Sequence, residues 1–560
     1  MDINYITSED YADYIVVDIE PLPRFFESYD ITSLHKSTMT IRLSLLNAAP
    51  IPENIYINQI PYLSIPSLYS PMNYDILERS GISRLTNIKN LNLTGNGVYV
   101  GIIDTGINIF DDAFITPDGR TKIYRLWDQT DDTGIPPEDI FYGTEYTEEM
   151  INDLIKDYSS NPTSITSPPP GIDYQNHGNE LARIAVGNDD FQNSFSGVAP
   201  DAKLIVVKLK PAKKYLKEYY GMREDAVVYE ESDILFALTY VRRTALFENI
   251  PLSIIIGLGS TRGDHNGNDY LSDAIKNTAP AKGVSICVPA GNEGDKRLHF
   301  SGNSSLCELK VGPNIPAIYA EIWIKLPFLF YVLITSPSGE RIESASFRLN
   351  RSETFNFVFD STILLVESKP LEPSSDDALI LLRFTTPAEG VWRIELKLSI
   401  ANMQNDDIFN GNTLFNIWLP QSDAIYRDTY FLSSDPYSTI TTPGCAKDAL
   451  TVSAINPTTG GIYSENSKGF IPNGNIKPDI SAYSTFSGSG AAALCGGCAA
   501  ILLQWGIVDG NFPEMTGRDI KSFLIYGASR PNTKEYPDRD IGYGYLNLYN
   551  SFDILNRNRT

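Results

Sequence analysis

Three short runs of branched apolar residues constrain the fold of this chain more than any other feature of its sequence. They occupy residues 98–103, 203–209 and 252–256. A strand with one solvent-exposed face alternates apolar and polar residues. These runs are apolar almost throughout, which is typical of strands that are buried on both faces. Helical stretches such as residues 233–245 lie between them. The pattern predicts an α/β domain built on a parallel sheet with helices on both faces.

The pattern changes between about residue 299 and residue 439. Strand-like runs follow one another there with turns between them, and helical periodicity is nearly absent. This pattern predicts an all-β sandwich, of the jelly-roll type. The α/β pattern resumes after residue 442, so we expect the sandwich to be inserted into the α/β domain.

The first 75 residues form a separate predicted unit. Two strand-like runs, at residues 14–19 and 39–45, flank a short helical stretch near residue 25, and prolines mark an extended exit. We therefore expect a short α+β unit at 1–75, an α/β domain in two parts at 76–296 and 441–560, and the inserted sandwich at 297–440.

Charge and hydropathy exclude several classes of function. The chain has 69 acidic and 45 basic residues, a net charge of −24. Nucleic acids and anionic membrane surfaces both attract positive charge, so neither is an expected partner. The N-terminal residues lack the features of a secretory signal, and no apolar run reaches the length of a membrane span. We expect synthesis in the cytoplasm and a neutral or basic polypeptide as the target.

The five cysteines do not form a disulfide framework, because they are few and odd in number. Cys495 and Cys498 have the C-x-x-C spacing of redox and zinc sites, but alanine, leucine and glycine surround them on an apolar stretch at residues 491–505. We interpret that stretch as a core helix and both cysteines as small core residues. No metal and no cofactor is predicted.

Two motifs place titratable side chains at the ends of predicted elements. Asp104 ends the first apolar run, where a carboxylate would point into the crevice that α/β proteins use for their sites. His177 begins a helical stretch, and histidine is the most frequent general base at neutral pH. A turn aspartate and a surface histidine would each look the same in isolation.

Two further motifs carry hydrogen-bonding groups. Asn292 lies in an Ala-Gly-Asn-Glu-Gly turn after a predicted strand, and its amide could donate to an oxyanion. Ser489 lies at the start of a helix of very small side chains, where helix N-terminal amides favour negative charge. An ordinary turn and an ordinary helix-capping serine are the alternative interpretations.

Taken together in chain order, these motifs resemble those of the subtilases, the subtilisin-like serine proteases. The family pattern D-T-G-[IV] is matched at Asp104, H-G-T-H-V-A-G-I-A-A-G in most positions from His177, and A-[AG]-G-N-x-G at Asn292. Residues 197–202 match the family pattern G-V-A-P-x-A. The segment in which the family binds the substrate backbone falls, by resemblance, on Gly257, Leu258 and Gly259.

The serine motif departs from the family pattern G-T-S-x-A-[AS]. Counting back from the apolar helix places Ser489 on the nucleophile, but Ser487 and Gly488 precede it in place of Gly and Thr. A one-residue deletion would place Gly490 there instead. The preceding A-P-G motif is absent, and a shorter stretch, residues 481–486, replaces the loop that follows it in the family.

The β insert and the segment Ile-Leu-Leu-Gln-Trp at 501–505 resemble the clostridial branch of the family, which includes the Csp germination proteases of spores. The resemblance implies an endopeptidase with an Asp104–His177–Ser489 triad and Asn292 in the oxyanion hole. It implies a prodomain at 1–75 as an intramolecular partner, and a spore-associated role with a cortex-lytic enzyme precursor or related Csp-type proteins as partners.

Two other functions remain open at this stage. The altered serine motif is compatible with a pseudoprotease that binds or signals during spore germination. A structural β-sandwich protein with a vestigial protease body is the third interpretation. It would be favoured by carbohydrate binding, but the insert tryptophans Trp323, Trp392 and Trp418 lie in predicted strands, and we interpret them as core residues.

Overall fold

The computed structural model describes most of the chain from residue 76 to residue 557, together with three strands nearer the N-terminus. The described range is interrupted at residues 87, 89–90, 162–167, 190–195, 345–350, 373–374, 399–408, 410–412 and 533. The chain divides into two compact units, Met1–Asn73 and Tyr74–Thr560.

The first unit contains an antiparallel sheet. Its strands are β1 (Tyr11–Val16), β2 (Ile31–Lys36) and β3 (Ile41–Leu46). They are ordered β1-β3-β2, so the third strand lies in the middle. The short helix predicted near residue 25 lies outside the described residues.

The second unit begins with alternating strands and helices. The strands are β4 (Tyr99–Asp104), β5 (Ile123–Asp128), β6 (Thr144–Thr147), β7 (Lys203–Lys208), β8 (Leu252–Ile256) and β9 (Val284–Pro289). The helices are α1 (Ile76–Arg79), α2 (Ile82–Thr86), α3 (Glu148–Ser160), α4 (His177–Val186), α5 (Lys214–Tyr219), α6 (Glu231–Phe247) and α7 (Tyr270–Thr278). The polar stretch around residues 130–170 contains β6 and α3.

The insert follows β9. Its strands are β10 (His299–Ser301), β11 (Leu306–Val311), β12 (Ala317–Lys325), β13 (Phe330–Thr335), β14 (Arg341–Glu343), β15 (Arg351–Phe357), β16 (Thr362–Lys369), β17 (Asp377–Thr385), β18 (Gly390–Leu398), β19 (Phe415–Trp418) and β20 (Tyr430–Phe431). They form a six-stranded sheet, β10-β19-β12-β17-β16-β15, and a five-stranded sheet, β14-β13-β18-β11-β20. All pairings in both sheets are antiparallel.

A separate hydrophobic core lies within the insert. Phe330, Phe357, Phe384, Trp392 and Phe415 are at most 1% exposed there. Trp323 and Trp418 are also buried, as expected of core residues. All three insert tryptophans named above are therefore buried residues.

The α/β domain resumes after the insert. Its remaining elements are β21 (Leu450–Ile455), β22 (Ile480–Tyr483), α8 (Ser487–Leu503), α9 (Gly517–Gly527) and α10 (Leu548–Arg557). The eight strands of the main sheet follow the order β22-β21-β9-β8-β4-β7-β5-β6. Each pairing is parallel except that of β5 with β6. The predicted parallel α/β sheet with an inserted all-β domain is confirmed.

This topology brings three strand ends together. Strands β4, β8 and β9 are neighbours in the order β9-β8-β4 and run parallel. Parallel neighbours end at the same edge of a sheet, so the residues after Asp104, Ile256 and Pro289 share one edge. Ligand sites in α/β proteins lie at that edge.

The core helix α8 packs through its glycines against strand β8 of the main sheet and against the loop before β7. A Cβ on Gly496 would lie 2.4 Å from Ile255 Cγ1, and one on Gly497 would lie 2.5 Å from Val198 Cβ. The glycines of Cys-Gly-Gly-Cys therefore permit close helix packing. Burial raises the pKa of the Cys495 and Cys498 thiols, so they are not reactive thiolates.

In the described part of the chain, one segment has the length and composition of a membrane span, Ser487–Val508. It is α8 with the irregular turn that follows, and 89% of its most apolar window is buried inside the protein. The core helix of a water-exposed domain passes the same test, so the finding is weak evidence for a span.

Candidate active site

The carboxylate of Asp104 lies at the end of β4 with a side chain that is 1% exposed. Its Oδ1 accepts a hydrogen bond from the Thr105 main-chain N–H at 2.8 Å and lies 2.6 Å from Nδ1 of His177. Its Oδ2 is buried and has no hydrogen-bond partner among the described residues. The structure therefore brings the predicted aspartate and histidine together, 73 residues apart in the chain.

The start of α4 is held against the end of β4. The main-chain N–H of Gly178 donates to Oγ1 of Thr105 at 2.9 Å. A Cβ on Gly178 would lie 2.5 Å from the carbonyl oxygen of Gly106, so only glycine permits this approach. These contacts fix the position from which the His177 imidazole reaches Asp104.

The charges around His177 favour its protonated form. Burial lowers the pKa of His177, but the charge of Asp104, the hydrogen bond to it and the charge of Asp173 outweigh burial, and the net pKa is raised. A buried carboxylate in this position stabilises an imidazolium as it forms. The arrangement suits a histidine that takes up a proton during a reaction.

Gly257 lies between the Asp104–His177 pair and Ser489. A Cβ at this glycine would lie 2.2 Å from Asp104 Oδ2 and 3.1 Å from His177 Cε1. The carbonyl oxygen of Gly257 accepts a hydrogen bond from Oγ of Ser489 at 3.1 Å. Gly257 was predicted from the resemblance as part of the substrate-binding segment, and the structure also makes it the contact between the serine and the acid–base pair.

Ser489 is the third residue of α8 and is 6% exposed. Its hydroxyl donates to Gly257, and within the described residues no hydrogen bond joins it to His177. Gly490, the alternative position for the nucleophile, carries no hydroxyl, and a Cβ there would meet Ser484 Oγ at 2.5 Å. Of these two positions, only Ser489 carries a hydroxyl, and that hydroxyl reaches the residue that follows β8.

Asn292 lies in the loop after β9, next to the N-terminus of α8. Its Oδ1 accepts a hydrogen bond from Oγ of Ser487 at 2.9 Å. Gly291 before it has a φ of +110°, a conformation that favours glycine and turns the chain sharply after the strand. The structure thus places Asn292 beside the helix that carries Ser489.

Leu258 and Gly259 border a cleft of about 1090 Å³ between the α/β domain and the insert. Tyr319 and Trp323 of the insert also line it. The segment is partly paired already, since Ser260 forms a β-bridge with Thr442. The substrate segment predicted from the resemblance therefore continues into a cleft whose other wall is the inserted domain.

Two residues near the site were missed by sequence reasoning. The ring of Phe486 packs against the imidazole of His177, with centroids 5.3 Å apart. Ser487 contacts Asn292, as described above. Both residues lie in the stretch that departs from the family pattern. That departure was the sequence signal that could have indicated their importance to the site.

A third missed residue joins the site to the insert. Glu293 follows Asn292 and is buried, and its carboxylate accepts hydrogen bonds from the main-chain N–H and the hydroxyl of Ser422 at 3.1 and 3.2 Å. Burial raises the pKa of Glu293 to about 7, against the opposing effect of the Ser422 hydrogen bonds. The contact joins residues 129 positions apart, so no local pattern could have indicated it.

No group of three or more potential metal-ligating side chains occurs among the described residues. The described groups at the site are a carboxylate, an imidazole, two hydroxyls and an amide. Such a set can carry out proton transfer, nucleophilic attack and stabilisation of an oxyanion.

A parallel sheet with helices on both faces, whose strand β4 ends in an aspartate bonded to a helix-borne histidine, has the architecture of the subtilisin-like serine proteases. Residues 95–310 match the model of the Subtilase family. Over these residues the chain is similar to the subtilases.

Two comparisons with known proteins extend that result. A curated subtilisin of Bacillus sp. (strain TA39) is 25% identical over 257 residues, which is 44% of this chain and 48% of the subtilisin. The chain thus matches about half the length of that relative. The structure of the Clostridium perfringens CspB protease is 27% identical, with a TM-score of 0.73, and the match covers 87% of this chain and 98% of that one. The resemblance to Csp-type proteases is confirmed over nearly the whole of that structure.

Proposed function

We propose that this protein is a serine endopeptidase that hydrolyses peptide bonds. The observation that carries the proposal is the 2.6 Å contact between Asp104 and His177, packed against the glycine to which Ser489 is bonded. The match of residues 95–310 to the Subtilase family model supports the same activity. A buried aspartate, a histidine with a raised pKa and a helix-borne serine are the groups that acyl transfer by a serine nucleophile requires.

In the proposed mechanism, Oγ of Ser489 leaves its hydrogen bond to Gly257 and attacks the scissile carbonyl carbon. His177 accepts the serine proton as general base and then donates it to the leaving amine. Asp104 orients the imidazole through Nδ1 and stabilises its charged form. Water then attacks the acyl-enzyme with His177 again as the base, which releases the second product and restores Ser489.

The oxyanion of the tetrahedral intermediate would be held by the amide of Asn292 and the main-chain N–H of Ser489. That N–H lies in the first turn of α8, where the helix itself offers no acceptor. The positive end of the helix dipole faces the same place. Loss of one such donor typically costs about 10²–10³-fold in kcat.

Self-cleavage of the N-terminal unit offers a direct test of the proposed activity. Intact mass and N-terminal sequencing of the purified wild type should give a mature N-terminus between about residues 60 and 80, and the Ser489→Ala variant should remain full length. Ser361→Ala, an exposed serine of the insert, is the matched control and should be processed normally. If the Ser489→Ala variant were cleaved at the wild-type site when expressed in a host that lacks other proteases able to cut there, the proposal would be refuted.

The finer substrate assignment is a Csp-type role in spores, with a cortex-lytic enzyme precursor as the substrate and the chain's own prodomain as a partner. The similarity to the Clostridium perfringens CspB protease supports it. Under this proposal the protein is made in the cytoplasm and is associated with the spore. Incubation of the purified protein with a recombinant cortex-lytic precursor should release a defined fragment, and the Ser489→Ala variant should release none.

A second candidate function is a pseudoprotease that binds or signals in germination. The specific observation in its favour is that Ser489 is nearly buried and bonded to a carbonyl oxygen, while Phe486 covers part of His177. This candidate predicts a full-length protein with no turnover of peptides or precursor. A wild-type mature N-terminus that is lost in His177→Ala would exclude it.

A further inference from the structure

Ser487 has a backbone conformation that serines rarely adopt. It is the first residue of α8 and has a φ of +45°, in the left-handed region that favours glycine. In the family pattern that this stretch resembles, glycine precedes the Thr-Ser pair at this position. The chain therefore carries a side chain where the backbone disfavours one, and such outliers concentrate at functional sites.

The Ser487 hydroxyl does not cap its own helix. A capping serine accepts a hydrogen bond from the N–H of the second or third helical residue. The cap residue here is Phe486, with no side-chain capping bond, and Ser487 Oγ donates instead to Oδ1 of Asn292, 195 residues earlier in the chain. The hydroxyl thus acts on the loop after β9 rather than on α8.

The bond determines which end of the Asn292 amide remains available. Ser487 is the only side-chain partner of Asn292 in the described part of the chain, and it occupies the oxygen. An asparagine amide has one acceptor oxygen and a nitrogen with two donors. With Oδ1 held by Ser487, the Nδ2 donors are left for another acceptor, as an oxyanion requires.

We propose that Ser487 is a positioning residue that orients the Asn292 amide so that Nδ2 donates to the oxyanion. This inference rests on the proposed function, because an oxyanion forms only if the site performs acyl transfer. Ser487 itself takes no part in bond making: it neither attacks the carbonyl nor transfers a proton. It acts in the transition state through Asn292.

The variant Ser487→Gly separates this role from a structural one. Glycine adopts a φ of +45° freely, so the variant should be no less stable to heat than the wild type. Loss of the hydroxyl should lower kcat about 10-fold with little change in KM, because the oxyanion exists only in the transition state and the intermediate. Ser361→Gly is the matched control, since Ser361 has a φ of +52°, is exposed and lies in the insert. It should leave kcat unchanged.

A double-mutant cycle tests whether Ser487 acts through Asn292. Asn292→Ala alone should lower kcat more than Ser487→Gly, and adding Ser487→Gly to Asn292→Ala should lower it no further. Additive losses would overturn the proposal, as would a kcat for Ser487→Gly equal to that of the wild type.

Crystal structures of the wild type and Ser487→Gly keep the inference testable even if the wild type proves inactive. We expect a single orientation of the Asn292 side chain in the wild type and a changed or mixed orientation in the variant. Unchanged orientation would overturn the positioning role. An inactive wild type with a reoriented Asn292 in the variant would instead refute the proposed function and leave the positioning of the amide established.

Discussion

The hydroxyl of Ser489 donates to the carbonyl oxygen of Gly257 at 3.1 Å, and the same glycine has no room for a side chain because Asp104 and His177 border the place that its Cβ would occupy. Gly257 comes directly after β8, and Ser489 lies 232 residues later on α8. Gly257, at the end of the central strand β8, therefore lies between the serine and the Asp104–His177 pair.

Gly257→Ala should disrupt the site without unfolding the domain. The new Cβ would lie 2.2 Å from Asp104 Oδ2, so the carboxylate or the strand end must move. We expect a loss of at least about 100-fold in kcat/KM in a peptidase assay, since small displacements of reacting groups are costly. Gly461→Ala is the control, because its Cβ would meet only Thr459 Oγ1, at 3.3 Å, and it should retain full activity. Wild-type activity in Gly257→Ala would contradict the site as described.

Asp104→Asn should lower kcat by about 10⁴-fold with a small effect on KM. The amide would preserve the shape of the side chain but would present a donor or a neutral acceptor to Nδ1 of His177, and it could not stabilise the imidazolium. Steady-state kinetics on a peptide substrate provides the measurement. A loss of less than 10-fold would show that Asp104 does not support the histidine in the rate-limiting step.

The pH dependence of activity should report the raised pKa of His177. The histidine must be neutral to act as a base, so kcat/KM should rise with pH through a midpoint above the ordinary histidine value of about 6.5. Asp173→Asn removes one of the charges that raise this pKa and should move the midpoint to lower pH. A midpoint below 6.5 in the wild type, or no shift in the variant, would contradict this electrostatic description.

The same shift has a consequence for stability. A histidine whose pKa is raised in the folded state stabilises the protein when the pH is below the pKa that the histidine has in the unfolded state. That contribution is lost as the pH rises through the folded-state pKa. His177→Gln removes this titration. The midpoint of unfolding should therefore vary less with pH between the unfolded-state and folded-state pKa values of the histidine.

Glu293 should make the protein less stable as the pH rises. Its folded-state pKa of about 7 exceeds the usual value near 4.3, so the folded state holds an extra proton between these values and loses stability across them. Glu293→Gln should remove this loss and raise the free energy of unfolding at pH 8 by up to about 3 kcal/mol. Denaturant unfolding at pH 5 and pH 8 measures the difference, with Glu465→Gln, a partly buried glutamate nearby in the α/β domain, as the control. An equal effect of Glu293→Gln at both pH values would refute the shift.

The main features of the fold could be predicted because they depend on local patterns. Residues 98–103 are apolar throughout, as a strand buried on both faces requires, and the run ends in Asp104 where the crevice begins. After residue 299 the sequence consists of consecutive strand-like runs without helical periodicity. This local pattern predicted the inserted sandwich. Periodicity reports burial, and burial determines the layers of the fold.

The fine structure of the site could not be predicted because it depends on contacts between distant residues. The Ser487–Asn292 bond requires a left-handed φ that no residue pattern specifies for serine. The Glu293–Ser422 contact exists only because the insert folds back onto the loop after β9. Counting along the apolar helix selected Ser489, but its bond to Gly257 depends on how closely α8 approaches the main sheet.

Labelling by a fluorophosphonate shows whether Ser489 is an activated nucleophile, because the reagent reacts with an activated serine and leaves an inactive one untouched. We expect one added label per wild-type molecule by intact mass, located at Ser489 by peptide mapping, and none in Ser489→Ala or His177→Ala. Labelling at Ser487, labelling that persists in Ser489→Ala, or no labelling of a folded wild-type protein would refute the assignment of Ser489 as the nucleophile.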